Sequence, residues 1–143
     1  MTGSDTPHYF LLAQATNSLR RASDRVALAA AGVTTAQAGA LFAIAATDAP
    51  TQREIGAVLG LGEAAVTGLV TRLATMGLVR READGADRRA RRIHLTDAGR
   101  AALEAIEPAR RALNRRVDEI LGPDADRVAA ALARLAKADL HDG

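Results

Sequence analysis

The chain has 143 residues, about one domain's worth, and its 48% hydrophobic share is deceptive, because 34 residues are alanine and only Tyr9, Phe10 and Phe42 are aromatic. Scarce side-chain volume and high helix propensity exclude a large aromatic core and point to close-packed helices completed across an oligomer interface. With no cysteine, disulfides, thiolate nucleophiles and thiol redox sensing are excluded, and the net charge of +2 gains meaning only from where it is placed.

The first twenty residues, with Asp5, Pro7, His8 and Asn17, lack the basic and apolar segments of a signal peptide, so a cytoplasmic location is expected. Pro7 marks the first turn of a long helix. Along it Leu12, Ala15, Leu19, Ala22, Val26, Ala29 and Val33 recur at alternating spacings of three and four, a heptad-like seam suited to pairing with another helix. Residues 26 to 47 carry no charge and approach the length of a membrane span. Alanine adds little to insertion, however, and Gly32, Thr34, Thr35 and Gln37 interrupt the run, so no membrane span is expected.

Gly32 stops the first helix and Thr34-Thr35-Ala36-Gln37 opens the next as a capping box, with Leu41, Phe42 and Ile44 on it. Thr51-Gln52-Arg53-Glu54 repeats the signal after Pro50 and starts a short helix carrying Ile55, Val58 and Leu59, which Gly60 to Gly62 breaks. From Glu63, the residues Val66, Leu69, Val70 and Leu73 form one apolar stripe and leave Ala64, Thr67, Gly68, Thr71 and Arg72 facing outward. Two short helices joined by a glycine-containing turn make a helix-turn-helix.

Gly77 ends that unit, and Leu78 to Arg81 and Ile93 to Leu95 read as strands around Asp84-Gly85, a dipeptide suited to a tight hairpin turn. From Arg72 to Arg92 there are seven arginines against Glu82, Asp84 and Asp87, a net +4 on a chain whose total is +2. Such a concentration is the electrostatic footprint of a surface that meets phosphates. Thr96 then caps a helix running toward Leu121, in which Pro108 is expected to cause a kink or a split. After Gly122-Pro123-Asp124, a last helix carries Ala125, Val128, Leu132 and Leu135 at heptad spacing. The expected fold is mainly α with a small β-hairpin, a winged helix-turn-helix flanked by N- and C-terminal dimerisation helices.

On that layout Gln52, Arg53 and Arg72 are placed to bond phosphates, contacts that set register without reading sequence. Ala64, Ala65 and Thr67 suit thymine methyl groups. With Gly68 and Thr71 beside them and Glu63 at the helix start, direct base readout is expected to be thin. His8, His94 and His141 fall on three separate elements with no ligand-spaced partner, so no metal is expected. Neither a phosphate-binding glycine loop nor a nucleophile triad is present, and neither an enzyme nor a cofactor is expected.

Gly-Val-Thr-Thr-Ala-Gln at 32 to 37, Leu-Gly-Leu-Gly at 59 to 62, Leu-Ala-Thr-Met-Gly-Leu-Val-Arg-Arg at 73 to 81, and above all Asp87-x-Arg89 followed by Leu95-Thr96-x-x-Gly99, resemble the MarR family of bacterial transcription regulators over roughly residues 7 to 140. The resemblance implies a single domain over 1–143, a two-fold dimer paired through helices at 7–33 and 100–140, and a winged DNA-binding region at 34–99. It implies a recognition helix in the major groove, with Arg89 in the adjacent minor groove and Asp87 orienting it, flanked by Arg88 and Arg91. A guanidinium suits the negative potential of a narrow groove. In similar wings the positions of Arg91 and Arg92 are more often apolar, which leaves the inner face of that strand open.

The resemblance also implies a pocket for a small aromatic or anionic effector, for which Tyr9, Leu12 and Phe42 supply bulk and Arg20 or Arg21 supplies charge. The expected function is a ligand-responsive repressor, a homodimer on a pseudo-palindromic operator in double-stranded DNA. The alternative is a winged-helix interaction or structural module with weak or nonspecific DNA binding.

Overall fold

The computed structural model describes residues 7–83, 85 and 91–140. Six helices and a hairpin follow in the order α1 (His8–Ala31), α2 (Thr35–Ala46), α3 (Gln52–Leu59), α4 (Glu63–Thr75), β1 (Val79–Ala83), β2 (Arg91–Leu95), α5 (Asp97–Leu121) and α6 (Ala125–Lys137). Two compact units are present, one ending at Arg110 and the other beginning at Arg111.

Local chemistry sets the helix starts. The Thr34 hydroxyl accepts from the Gln37 amide at 3.2 Å while Gln37 Oε1 accepts from the Thr34 amide at 2.9 Å. Thr51 and Glu54 repeat the exchange at 3.2 and 2.8 Å, so both capping boxes legible in the sequence are formed. Each satisfies two orphan amides and contributes about 1 kcal/mol. A further acceptor comes from another helix: Asp24 on α1 takes the Thr35 amide at 2.7 Å. That bond holds the Asp24 carboxyl below its ordinary pKa, because a carboxylate accepting an amide hydrogen bond is favoured in its charged form.

The core of the first unit is aliphatic. Val33, Leu41, Ile55, Val66, Val70, Leu73 and Ile93 are fully buried and bring together α2, α3, α4 and β2. Of α1 only Ala27 is buried, with Ala30 and Ala31 packing on the core. Along the heptad-like seam Ala15, Leu19 and Ala29 are exposed, Leu12, Ala22 and Val26 are half-buried, and Val33, just past the helix, belongs to the core. In the second unit no described side chain is buried.

The hairpin is longer than the sequence reading. Val79 lies opposite Leu95, Arg81 opposite Ile93, Glu82 opposite Arg92 and Ala83 opposite Arg91, so oppositely charged neighbours carry the ladder past Arg81. The loop before α3 adds to the sheet: Thr51 bridges Arg92, and the Ile93 amide donates to the Pro50 carbonyl at 2.9 Å. This ties the wing to the start of the helix-turn-helix. Of the Asp84-Gly85 turn, Asp84 lies outside the described residues.

Pro108 does not split α5, which runs unbroken from Asp97 to Leu121. Proline has no amide to donate to the Glu104 carbonyl, and both residues are exposed. No single helix among the described residues is long and apolar enough to cross a membrane, and the uncharged stretch 26–47 is shared by α1 and α2, bent by 70°.

Candidate nucleic-acid interface

Helices α3 and α4 meet at 110° across a turn in which Gly60 adopts φ 65°, a left-handed conformation cheap only for glycine. One stripe of α4 is buried through Val66, Val70 and Leu73. The opposite face leaves Ala64, Ala65, Thr67, Gly68, Thr71 and Arg72 exposed, and beside it on the first turn of α3 Arg53 is exposed and Gln52 half-buried. Eight of the residues expected to meet DNA thus lie on the two helices of one helix-turn-helix.

These polar side chains are tied to one another by a residue absent from the expected site. Arg81, half-buried on β1, donates from Nη2 to the Thr71 hydroxyl at 2.8 Å and from Nε to Gln52 Oε1 at 3.4 Å. Gln52 Nε2 in turn donates to the Thr67 hydroxyl at 3.0 Å. One guanidinium therefore links the wing, α3 and two successive turns of α4. The sequence signal was Arg81 itself, counted among seven arginines with nothing to separate it from its neighbours.

The wing arginines are not equivalent. On the outer face Glu82 receives Arg80 at 3.0 Å and His94 at 2.9 Å. Arg92 stands 3.6 Å from Glu54 and donates to the Ala49 carbonyl at 3.4 Å. Such exposed pairs contribute about 0–1 kcal/mol each, so the acids temper the local positive charge more than they stabilise the fold. The question left by Arg91 and Arg92 is answered by Ile93, which fills the inner face, while Arg91 is exposed and Arg92 half-buried. Asp87, Arg88 and Arg89 lie outside the described residues.

The residues expected to hold an effector differ in exposure. Tyr9 is 87% exposed and Arg20 exposed, with Leu12 and Phe42 half-buried. Over the Phe42 ring the Arg110 guanidinium stands 5.8 Å from the centroid, held by a two-pronged bond to Glu107 at 2.8 Å for each contact. This pairing raises the already high pKa of Arg110. A cleft of about 400 Å³ lies elsewhere, lined by Ile44, Ile93, Leu95 and Leu103 with His94 and Arg100 at its polar side. None of the four expected residues lines it. Among the described residues no group of three His, Asp or Glu side chains could hold a metal ion.

Comparison with known proteins agrees with this architecture. A family model described as MarR family matches residues 31–90, and a search of curated proteins finds no match. Among solved structures the chain is similar to a probable transcriptional regulator from Pseudomonas aeruginosa, with 31% identity, a TM-score of 0.80, and 92% of this chain and 98% of that one covered. It is similar to the transcriptional regulator MosR of M. tuberculosis in complex with DNA, at 34% identity, TM-score 0.74, and coverage of 90% and 94%. It is also similar to BpsR of Bordetella bronchiseptica, whose DNA binding is regulated by 6-hydroxynicotinic acid, at 26% identity, TM-score 0.82, and coverage of 97% and 99%. With its helix-turn-helix, its wing and relatives above 30% identity matched over nearly their whole length, the chain belongs to the MarR family of DNA-binding winged-helix transcription regulators.

Proposed function

We propose that the protein is a ligand-responsive repressor that binds a pseudo-palindromic operator as a homodimer. The observation that carries this reading is the single exposed face on which the outer residues of α4 adjoin Gln52 and Arg53, within a region where seven arginines cluster between positions 72 and 92. On this reading α4 enters the major groove, Arg53 and Arg72 bond phosphates, and Arg89, oriented by Asp87 and flanked by Arg88 and Arg91, enters the minor groove.

The dimer is supported by apolar surface left without cover. In the first unit Tyr9, Phe10, Leu11, Leu19 and Leu28 are exposed, and in the second Ile120, Leu132, Leu135 and Leu140. Burying a side chain of this size gains about 1.5–3 kcal/mol, and a second copy of the chain supplies the missing partner. Two-fold symmetry then requires half-sites about one helical turn apart.

The effector is a small aromatic or anionic molecule held where Tyr9, Leu12, Arg20 and Phe42 of the assembled dimer meet, and its binding releases DNA. The regulation of BpsR by 6-hydroxynicotinic acid supports an effector of this class.

Footprinting on the promoter of the protein's own gene tests the reading. Protection of two half-sites that resists nonspecific competitor supports it. Binding that competitor removes entirely, with no protected site, assigns the chain to nonspecific binding or to a protein-interaction module.

A further inference from the structure

Arg81, Gln52, Thr67 and Thr71 form a chain of hydrogen bonds with a direction. A guanidinium has donors and no acceptor. Arg81 therefore fixes which end of the Gln52 amide faces it: the oxygen accepts from Nε at 3.4 Å, and the amide nitrogen is left to donate to Thr67 at 3.0 Å. Thr71 accepts directly from Arg81 Nη2 at 2.8 Å. Both threonine hydroxyls thus already receive a hydrogen bond from the protein, and both are exposed on the outer face of α4.

A hydroxyl carries one proton and two acceptor lone pairs, of which the fixed donor here takes one. Once it has accepted from a fixed donor, its own proton points elsewhere, and polarisation along the chain makes that proton a stronger donor. An isolated threonine pairs with either kind of base edge. We propose that Arg81 sets Thr71 directly, and Thr67 through Gln52, as hydrogen-bond donors, so that the recognition helix selects acceptor atoms in the major groove. This rests on the reading that α4 enters that groove. The favoured bases on the contacted strand are those with an acceptor in the major groove, guanine through O6 and N7, thymine through O4 and adenine through N7, over cytosine, which offers only its amino group there. Arg81 is a positioning residue in this scheme, acting on bases through three other side chains.

The test is a binding matrix for the full-length protein on its footprinted operator, with every base substituted at each position under α4. Wild type is expected to disfavour cytosine at two positions by about tenfold relative to the other three bases, the value of one good hydrogen bond. Arg81→Lys keeps the charge but loses the fork. It is expected to reduce that preference to less than about twofold while leaving the salt dependence of binding unchanged. Thr71→Val, on the exposed surface of α4, should erase the preference at one of the two positions. In the Arg81→Lys background it should add nothing there, as expected for residues acting in one chain.

Arg81→Lys that retains the wild-type preference overturns the proposal, as does Arg81→Ala that weakens all sequences alike with a smaller salt slope, the mark of a phosphate contact. Should Arg81→Lys fail to fold, Thr71→Val and Thr67→Val decide by themselves, since unchanged preferences in both overturn it. A wild-type protein with no preference at any position overturns the groove-binding reading instead.

Discussion

Gly99, in the first turns of α5, packs against the backbone carbonyl of Leu78 so closely that a Cβ there would collide with it and press on a Leu95 methyl at 3.3 Å. The contact belongs to a junction in which the Thr96 amide donates to the same Leu78 carbonyl at 3.1 Å. The Thr96 hydroxyl there donates to the Gly77 carbonyl at 2.6 Å and accepts from the Gly99 amide at 3.1 Å. Both strands of the wing are thereby clamped to the start of α5.

Gly99→Ala is therefore expected to destabilise the protein by at least about 1–3 kcal/mol, because backbone cannot move aside as a flexible side chain does. Gly68, also inside a helix, has open space where its Cβ would stand, and Gly68→Ala is expected to stabilise by about 0.5–1 kcal/mol. Thermal unfolding of the two variants checks the pair, with Tm moving in opposite directions.

The Asp24 bond to the Thr35 amide gives a pH-dependent contribution to stability. The folded carboxyl is held below its ordinary value, so the unfolded chain binds more protons in the acid range and stability rises with pH there. The contribution is fully present above the unfolded pKa, near pH 4, and fades as pH falls through the lower folded value. Asp24→Asn should thus lower Tm at neutral pH, with the gap to wild type narrowing below about pH 4. A gap constant with pH contradicts this.

Charge placed in the apolar surface of α6 should prevent association. Leu132→Asp and Leu135→Asp alter side chains that are 44% and 40% exposed, so the chain tolerates them as a monomer. Sedimentation should show a dimer for wild type and a monomer for the double variant, with operator affinity falling by at least about 100-fold as the second half-site is lost. A double variant that sediments as a dimer places the association elsewhere.

Arg53→Ala and Arg72→Ala should each weaken all DNA sequences alike and reduce the salt slope by about one. Direct titration against operator and scrambled duplex separates this from a loss of base preference.

The sequence showed where the helices begin because capping is local: Thr34 with Gln37 and Thr51 with Glu54 act three residues apart. The outward face of α4 was legible for the same reason, since its buried stripe repeats with the helical period. Contacts far apart in the chain were not. The bridge from Thr51 to Arg92 depends on a fold already formed. Arg81 reaches Gln52 across 29 residues and Thr71 across 10, and no spacing marks it among its neighbours. Of the kink or split that Pro108 leads one to expect, the split does not occur, since α5 continues through it. Tyr9, one of few bulky residues, stands 87% exposed, and the buried core of the first unit is built from aliphatic side chains.

The central claim is that the face shared by α4 and the wing grips duplex DNA at a defined site. The affinity of the wild-type protein for its footprinted operator and for a scrambled duplex, each measured from about 50 to 200 mM salt, tests it most directly. A dimer making six or more phosphate contacts is expected to lose about 1,000-fold in affinity over that range on both duplexes, while holding the operator at least about 1,000-fold more tightly throughout. Equal affinity for the two duplexes, or binding indifferent to salt, would contradict it.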